Sequence, residues 1–386
     1  MDTFADIRPF FDSEIADAIT AILADDGFIA AIRQLRWPHL PDAFNFSLLP
    51  FTRLILKQQL KNVASLDDFQ RRMSPYLNYM VATTINDFNV SGIDNLLTDK
   101  NYLFISNHRD ITLDAALLTH VLFHQLNKSP RIAIGDNLLK PDFVGTLLRL
   151  NKCFIVNRQI ASPRKRLTHL HHLSAYIHFC LTVDNHCVWL AQKEGRAKDG
   201  LDKTDPAIIK MLVMNKGPDE TFSDYIQSLN IVPVSVSYEY DPCDILKAKE
   251  LYTLATTGSY TKTEREDFES IGMSILGYKG KVHLSIGTVV SENLPDTETV
   301  ANFLDRKIID NYRLHSSNVF AYQRLYGELP EFMHGHLEFS STHKEKRFFE
   351  KRLDAVPEHL KRYWLTIYAN PIVNKIRLTK TYLNPT

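Results

Sequence analysis

Between about residues 92 and 290 the chain alternates short, unbroken apolar runs with stretches of helical periodicity. The runs are Tyr102–Ser106, Arg131–Ile134, Cys153–Val156, Cys187–Ala191, Ile231–Tyr238 and Val282–Ile286, and helical spacing fills Thr112–Leu126, Pro163–Leu181 and Asp205–Met214 between several of them. A strand that is apolar at every position has no face to offer water, so it must be covered on both sides, and helices linking such strands make them parallel. The pattern therefore predicts an α/β fold with a mixed, largely parallel sheet flanked by helices. In sheets of this kind ligands gather at the loops after the carboxyl ends of the strands. Polar residues just past an apolar run are accordingly the first candidates for chemistry.

The flanking segments read as helical. Phe4, Ile7, Phe11, Ile15, Ile19, Ile22 and Leu23 recur at helical spacing and predict an amphipathic helix opening the chain, with Asp26-Gly27 ending it. After a break at Pro38 and Pro41, Phe44–Val63 mixes apolar residues with Arg53, Lys57 and Lys61, a composition that suits either a membrane surface or a helix packed on its neighbours. Asp67–Asn86 reads as a further helix, with Pro75 near its middle or marking a break. From about residue 297 the pattern is helical again through Thr297–Arg313 and Asn318–Tyr326 into the tail. The expected organisation is a helical amino-terminal domain (1–90), an α/β domain (91–295) and a helical, basic carboxyl-terminal extension (296–386).

Charge narrows the partners. Lys plus Arg equals Asp plus Glu at 45 each, leaving no excess for non-specific binding of a polyanion, so nucleic acid is excluded as a first guess. Locally the balance breaks: residues 1–30 carry seven acids against Arg8 alone, and residues 341–386 carry ten bases against four acids. In the tail, Lys344, Lys346, Arg347, Lys351, Arg352, Lys361 and Arg362 stand among Phe348, Phe349 and Trp364, a candidate contact with an anionic membrane or a packed helical pair. Cys153, Cys180, Cys187 and Cys243 share no short paired spacing, which predicts reduced thiols and neither disulfide nor zinc. The start is acidic where a secretory leader would be basic, and no apolar run reaches the ~18–20 residues of a spanning helix. The expected location is the cytoplasm, with at most a peripheral place on the cytoplasmic face of a membrane.

Two polar clusters follow apolar runs. Asn107-His108-Arg109-Asp110-Ile111-Thr112-Leu113-Asp114 comes directly after Tyr102–Ser106. A His held by a carboxylate can take the proton of an attacking hydroxyl, because the carboxylate orients the imidazole and stabilises the imidazolium that forms. His108 and Asp114 converge only if His108 is in the loop and Asp114 in the first turn of the following helix. The same stretch contains the His-Arg-Asp of kinase catalytic loops, but position 115 is Ala where those loops need Asn, and no glycine-rich phosphate loop precedes it. Gln192-Lys193-Glu194-Gly195-Arg196 is the second cluster, with opposite charges around a flexible Gly, suited to a polar or phosphorylated ligand or to a solvated turn. His169, His171 and His172 sit on one helix, where His171 and His172 cannot share a face, so they are read as structural rather than as metal ligands.

Taken in order, these clusters resemble the glycerolipid acyltransferase family, whose members acylate glycerol 3-phosphate, lysophosphatidate and related acceptors. Asn107-His108-Arg109 through Asp114 resembles the family's catalytic block, and Phe154-Ile155-Val156-Asn157-Arg158 its second block, whose Arg meets the acceptor's phosphate. Glu194-Gly195-Arg196 is similar to the third block and Val232-Pro233-Val234 to the fourth, so the resemblance spans about residues 90–290. It implies direct acyl transfer from acyl-CoA or acyl-ACP to a lipid acceptor. His108 would be the general base and Asp114 its partner, with Arg158, Glu194, Gly195 and Arg196 on the head group, Asn107, Arg109 and Lys193 assisting, and Pro233 shaping the pocket. It implies no metal and no cofactor beyond the thioester co-substrate. Two departures stand out: His108 and Asp114 have five residues between them where the family has four, and Gly195 adjoins Arg196 where the family inserts a residue. Two alternatives follow, an acyltransferase for a lyso-lipid acceptor without phosphate and a catalytically silent lipid- or acyl-carrier-binding protein.

Overall fold

The computed structural model describes residues 2–37, 45–158, 160–263, 265–337, 339 and 341–383. The expected break at Pro38 and Pro41 lies outside them. In chain order the elements are α1 (Ile15–Ala24), α2 (Asp26–Arg36), α3 (Asn45–Leu60), α4 (Leu66–Thr84), β1 (Ile85–Ser91), β2 (Leu103–Ser106), α5 (Leu113–Leu126), β3 (Arg131–Gly135), α6 (Asp142–Leu150), β4 (Cys153–Val156) and α7 (Pro163–Thr182). There follow β5 (Val188–Ala191), α8 (Pro206–Leu212), α9 (Phe222–Ser228), β6 (Ile231–Tyr238), α10 (Asp244–Thr257), α11 (Glu266–Leu276), β7 (Gly280–Ile286), α12 (Thr297–Asn311), α13 (Ser316–Tyr326), α14 (His343–Asp354) and α15 (Glu358–Leu383). No helix among the described residues is long and apolar enough to cross a membrane.

Contacts group the chain into two compact units, one of residues 1–80 with 130–176, the other of 81–129 with 177–386. This is a different partition from three consecutive segments, because strands distant in sequence pack together. In the first unit β3 and β4 pair in parallel, and the Ile155 N–H donates to the Ile7 carbonyl at 2.9 Å. Its core joins Ile15, Ile19 and Ile22 of α1 to Phe28, Ile29, Leu56, Phe69 and Phe143. The expected opening helix starts later than its periodicity suggests, at Ile15 rather than Phe4. Pro9 interrupts the run, and Arg8 pairs with Glu14 at 2.7 Å, folding residues 2–14 into turns.

The second unit holds a five-stranded sheet in the order β1-β7-β6-β2-β5. β1–β7, β6–β2 and β2–β5 are parallel and β6–β7 is antiparallel, the mixed, largely parallel sheet expected. β2 and β6 are buried at every residue, as unbroken apolar runs demand. β1 escapes sequence reading: Ile-Asn-Asp-Phe-Asn-Val-Ser is half polar, and as the outer strand it pairs only with β7. The expected helix over 67–86 accordingly ends at Thr84, and Pro75 is carried inside it without a break. α13, α14 and α15 close over the sheet's end with a core of Tyr240, Phe320, Phe349, Trp364 and Tyr368. The tail's Phe349 and Trp364 are thus interior, and Arg352 bonds Asp244 at 2.7 Å, which withdraws these three from any membrane contact. Cys153, Cys180, Cys187 and Cys243 are free and buried.

Candidate active site

Where β2 ends, the chain is pinned before it turns. The Asn107 amide is fully buried, donates to the Val236 carbonyl at 3.0 Å and accepts the Val236 N–H at 2.8 Å, so it bridges β2 to the backbone of β6. Asp110 then accepts the N–H groups of Thr112 and Leu113, both at 2.8 Å, at the entry to α5, whose N-cap is Thr112. The helix starts at Leu113, with Asp114 in its first turn.

The loop folds back over Asp114. Its Oδ2 accepts His108 Nδ1–H at 2.9 Å, the Arg109 N–H at 2.7 Å and the Asp110 N–H at 3.0 Å, while Oδ1 accepts the Tyr238 hydroxyl at 2.8 Å. The additional residue between His108 and Asp114 is absorbed in the loop, whose successive N–H groups form a nest for the carboxylate. Because Asp114 faces only donors, the hydrogen of His108 sits on Nδ1 and the lone pair on Nε2. Among the described residues nothing hydrogen-bonds Nε2. The Asp114 side chain is wholly buried, the His108 side chain 15% exposed, and the imidazole meets the edge of Trp189 at 5.7 Å between centroids. Trp189 is fixed in turn by donating to Ser106 Oγ at 3.0 Å.

Charges surround the loop from the inside. Arg109 is buried, donating to Asp202 at 2.5 Å and to the Gly200 carbonyl at 2.9 Å with its guanidinium 5.1 Å from the Tyr312 ring centre. Burial opposes its charge, and Asp202 more than offsets this, so its pKa lies above the ordinary arginine value. Lys247 of α10 donates to the Arg109 carbonyl at 2.6 Å and to Asp241, and Ser274 of α11 bonds Asp110. Burial, then the nearby Asp114 charge, raises the pKa of Asp110. The helices inserted between β6 and β7 thereby brace the two residues whose N–H groups hold Asp114, Arg109 through its carbonyl and Asp110 through its carboxylate.

The second polar cluster arrives beside His108. The Gln192 N–H donates to the Ser106 carbonyl and the Ala197 N–H to the His108 carbonyl, both at 2.7 Å, so Lys193, Glu194, Gly195 and Arg196 loop out between two bonds to the Ser106–His108 segment. Gly195 adopts φ +75° with open space where a Cβ would stand. The Arg196 side chain is only 5% exposed, and its ion pair with Asp267 is long, at 3.7 Å. Lys198 adjoins it: burial, and then the Arg196 charge, lower the lysine's pKa. Lys198 is itself ion-paired with Glu250, which leaves Arg196, with its long ion pair, as the sequestered cation here that is suited to receiving an anion.

The remaining candidates are placed as follows. Arg158 belongs to the first unit, exposed after β4, with its guanidinium against Gly135. Pro233 is buried within β6 opposite Ile105, its carbonyl accepting the Gly287 N–H at 2.9 Å. Asn107 and Arg109 have their side chains committed to the protein itself. His172 bonds Asp6 at 3.0 Å, and among the described residues no group of three or more His, Cys, Asp or Glu side chains could hold a metal. Sequence reasoning missed Tyr238, Trp189, Asp202 and Lys247. Each lies in a run that reads as ordinary strand, turn or helix, and only pairing across the sheet brings it to the loop.

Residues 87–236 match the family model described as Acyltransferase. A solved structure similar to this chain is the 1-acyl-sn-glycerophosphate (LPA) acyltransferase PlsC from Thermotoga maritima, at 15% identity and TM-score 0.34, covering 75% of this chain and 92% of that one. No curated protein matches the chain.

Proposed function

We propose, from the match of residues 87–236 to the Acyltransferase family model, that the chain transfers a fatty acyl group from acyl-CoA or acyl-ACP to a hydroxyl of glycerol 3-phosphate or a lysophospholipid. The observation that carries this reading is His108 Nδ1 held 2.9 Å from Asp114 with Nε2 unbonded among the described residues. Nε2 takes the acceptor's hydroxyl proton as its oxygen attacks the thioester carbonyl. The new C–O bond forms, the C–S bond breaks, and the imidazolium returns the proton to the leaving thiolate. Asp114 stabilises the imidazolium meanwhile. Base catalysis of this kind contributes about 10²–10⁴-fold, the rest coming from positioning and from charge stabilisation at the carbonyl oxygen.

Arg196, with Lys193, Glu194 and Gly195, takes the acceptor head group, because the loop that carries them is tied to the His108 carbonyl. Arg158 keeps the role of phosphate contact that its resemblance to the family's second block implies. Asn107 and Arg109 serve by holding the loop, and Pro233 by shaping the sheet beneath it. A lipid acceptor implies a membrane surface, for which the exposed cations Lys344, Lys346, Arg347 and Lys351 of α14 are the candidate contact.

The catalytically silent alternative required the additional residue to separate His108 from Asp114, and their 2.9 Å contact favours the enzyme. The test is thioester consumption by wild type and His108→Ala with palmitoyl-CoA and acyl-ACP against glycerol 3-phosphate, lysophosphatidate and lyso-aminolipids. Turnover should fall about 10²–10⁴-fold in the variant. Equal turnover in both proteins would remove His108 as the base. Turnover of a lyso-aminolipid that glycerol 3-phosphate cannot compete away would select the acceptor without phosphate.

A further inference from the structure

We propose that Tyr238 is a positioning residue of the acyl-transfer site, setting the basicity of His108 through the far oxygen of Asp114. The inference rests on the reading of His108 as general base. It begins from the unequal sharing of the carboxylate. Among the described residues Oδ2 receives the imidazole and two backbone N–H groups, whereas Oδ1 receives the Tyr238 hydroxyl alone, at 2.8 Å. With the Asp114 side chain wholly buried, no solvent can replace that hydroxyl. A carboxylate that loses its one donor on Oδ1 holds its charge more strongly toward Oδ2 and draws harder on the Nδ1 hydrogen.

Tyr238 is built to donate and to stay in place. It is the last residue of β6, a strand buried at all eight positions, and the Asn107–Val236 bonds fix that strand to the catalytic loop two residues earlier. Burial, then the charges of Asp114 and Asp110, push its phenol well above the ordinary tyrosine range, so the hydroxyl keeps its hydrogen throughout the working pH range. The other ionisable groups around the dyad are Asp110 on the same loop, Asp241 and Lys247 behind the Arg109 carbonyl, and the Arg109–Asp202 pair against Tyr312. None of them bonds Oδ1, so none substitutes for Tyr238.

The test is the titration of His108 by NMR in full-length Tyr238→Phe and wild type, the signal being assigned by its loss in His108→Ala. The midpoint should rise by about half a pH unit or more in Tyr238→Phe, and the acid limb of kcat/KM should rise with it. Incorporating the more acidic donor 3-fluorotyrosine at position 238 preserves ring and hydroxyl and should move both in the opposite direction. This arm also serves if the phenylalanine variant fails to fold. A midpoint that stays at the wild-type value in a folded variant overturns the proposal. Failure of the general-base reading looks different: His108→Ala then retains turnover, whatever Tyr238 does to the titration.

Discussion

His108 and Asp114 are legible in sequence as a pair able to meet, yet their meeting depends on Asp110, which no periodicity singles out. Its carboxylate accepts the Leu113 N–H at the entry to α5, and the loop before that helix supplies two N–H groups to the same oxygen that receives the imidazole. A second buried histidine shows the opposite use of burial. His315 bonds Ser237 Oγ at 3.0 Å, and desolvation, opposed by the Ser237 backbone and reinforced by His283, Arg313 and Lys281, pushes its pKa down to about 3 from 6.5. The unfolded chain therefore binds a proton below about pH 6.5 that the folded chain refuses until about pH 3. Stability from this group is complete above the unfolded value and is lost as pH falls through that window. Urea unfolding of His315→Gln should show a pH dependence between 4 and 6.5 shallower than wild type by about 1.4 kcal/mol per unit. Parallel curves would assign the acid sensitivity to other groups.

At the scale of elements, α15 determines more of the site than its distance in sequence suggests. Asn370 donates to the Asp199 carbonyl at 2.7 Å, and Gly200, at φ +80°, lies so close to α15 that a Cβ there would stand 2.2 Å from the Ile367 carbonyl oxygen. The Gly200 carbonyl in turn accepts from Arg109, linking α15 to the His108 loop. Gly195 shares the backbone conformation but faces open space. Gly195→Ala should therefore cost only the conformational penalty of about 1–2 kcal/mol, whereas Gly200→Ala adds a backbone collision and should cost at least about 2–4 kcal/mol. Chemical denaturation of the two variants separates these values, and equal losses would show that the α15 contact is not rigid.

For the whole molecule, the basic tail illustrates how packing redirects an experiment. Deleting residues after 340 would remove Phe349 and Trp364 from a core that also holds Tyr240 and Phe320, so lost lipid binding would report unfolding. Charge reversal leaves that core intact: Lys344, Lys346, Arg347 and Lys351 are exposed, while Glu345 and Glu350 of the same helix are engaged by Lys281 and Arg324. Changing the four cations to Glu should abolish flotation with anionic liposomes, at unchanged melting temperature, if α14 meets the membrane. Undiminished flotation would locate the contact elsewhere.

Local pattern alone marks the strands that are apolar throughout, the helices between them, and the His108, Asp114 and Arg196 clusters at their ends, because burial on both faces and polar strand termini leave local signatures. Cys153–Val156 and Ile231–Tyr238 were legible to the residue for that reason. β1 was not, since an outer strand pairs on one side and its composition stays polar. Nor could local pattern reveal that Arg109 turns inward to Asp202, that the tail's aromatics are core, or that Tyr238 reaches Asp114 across 124 residues. Those depend on which strands become neighbours and on which buried charges must find partners, and both are settled only when the chain closes on itself.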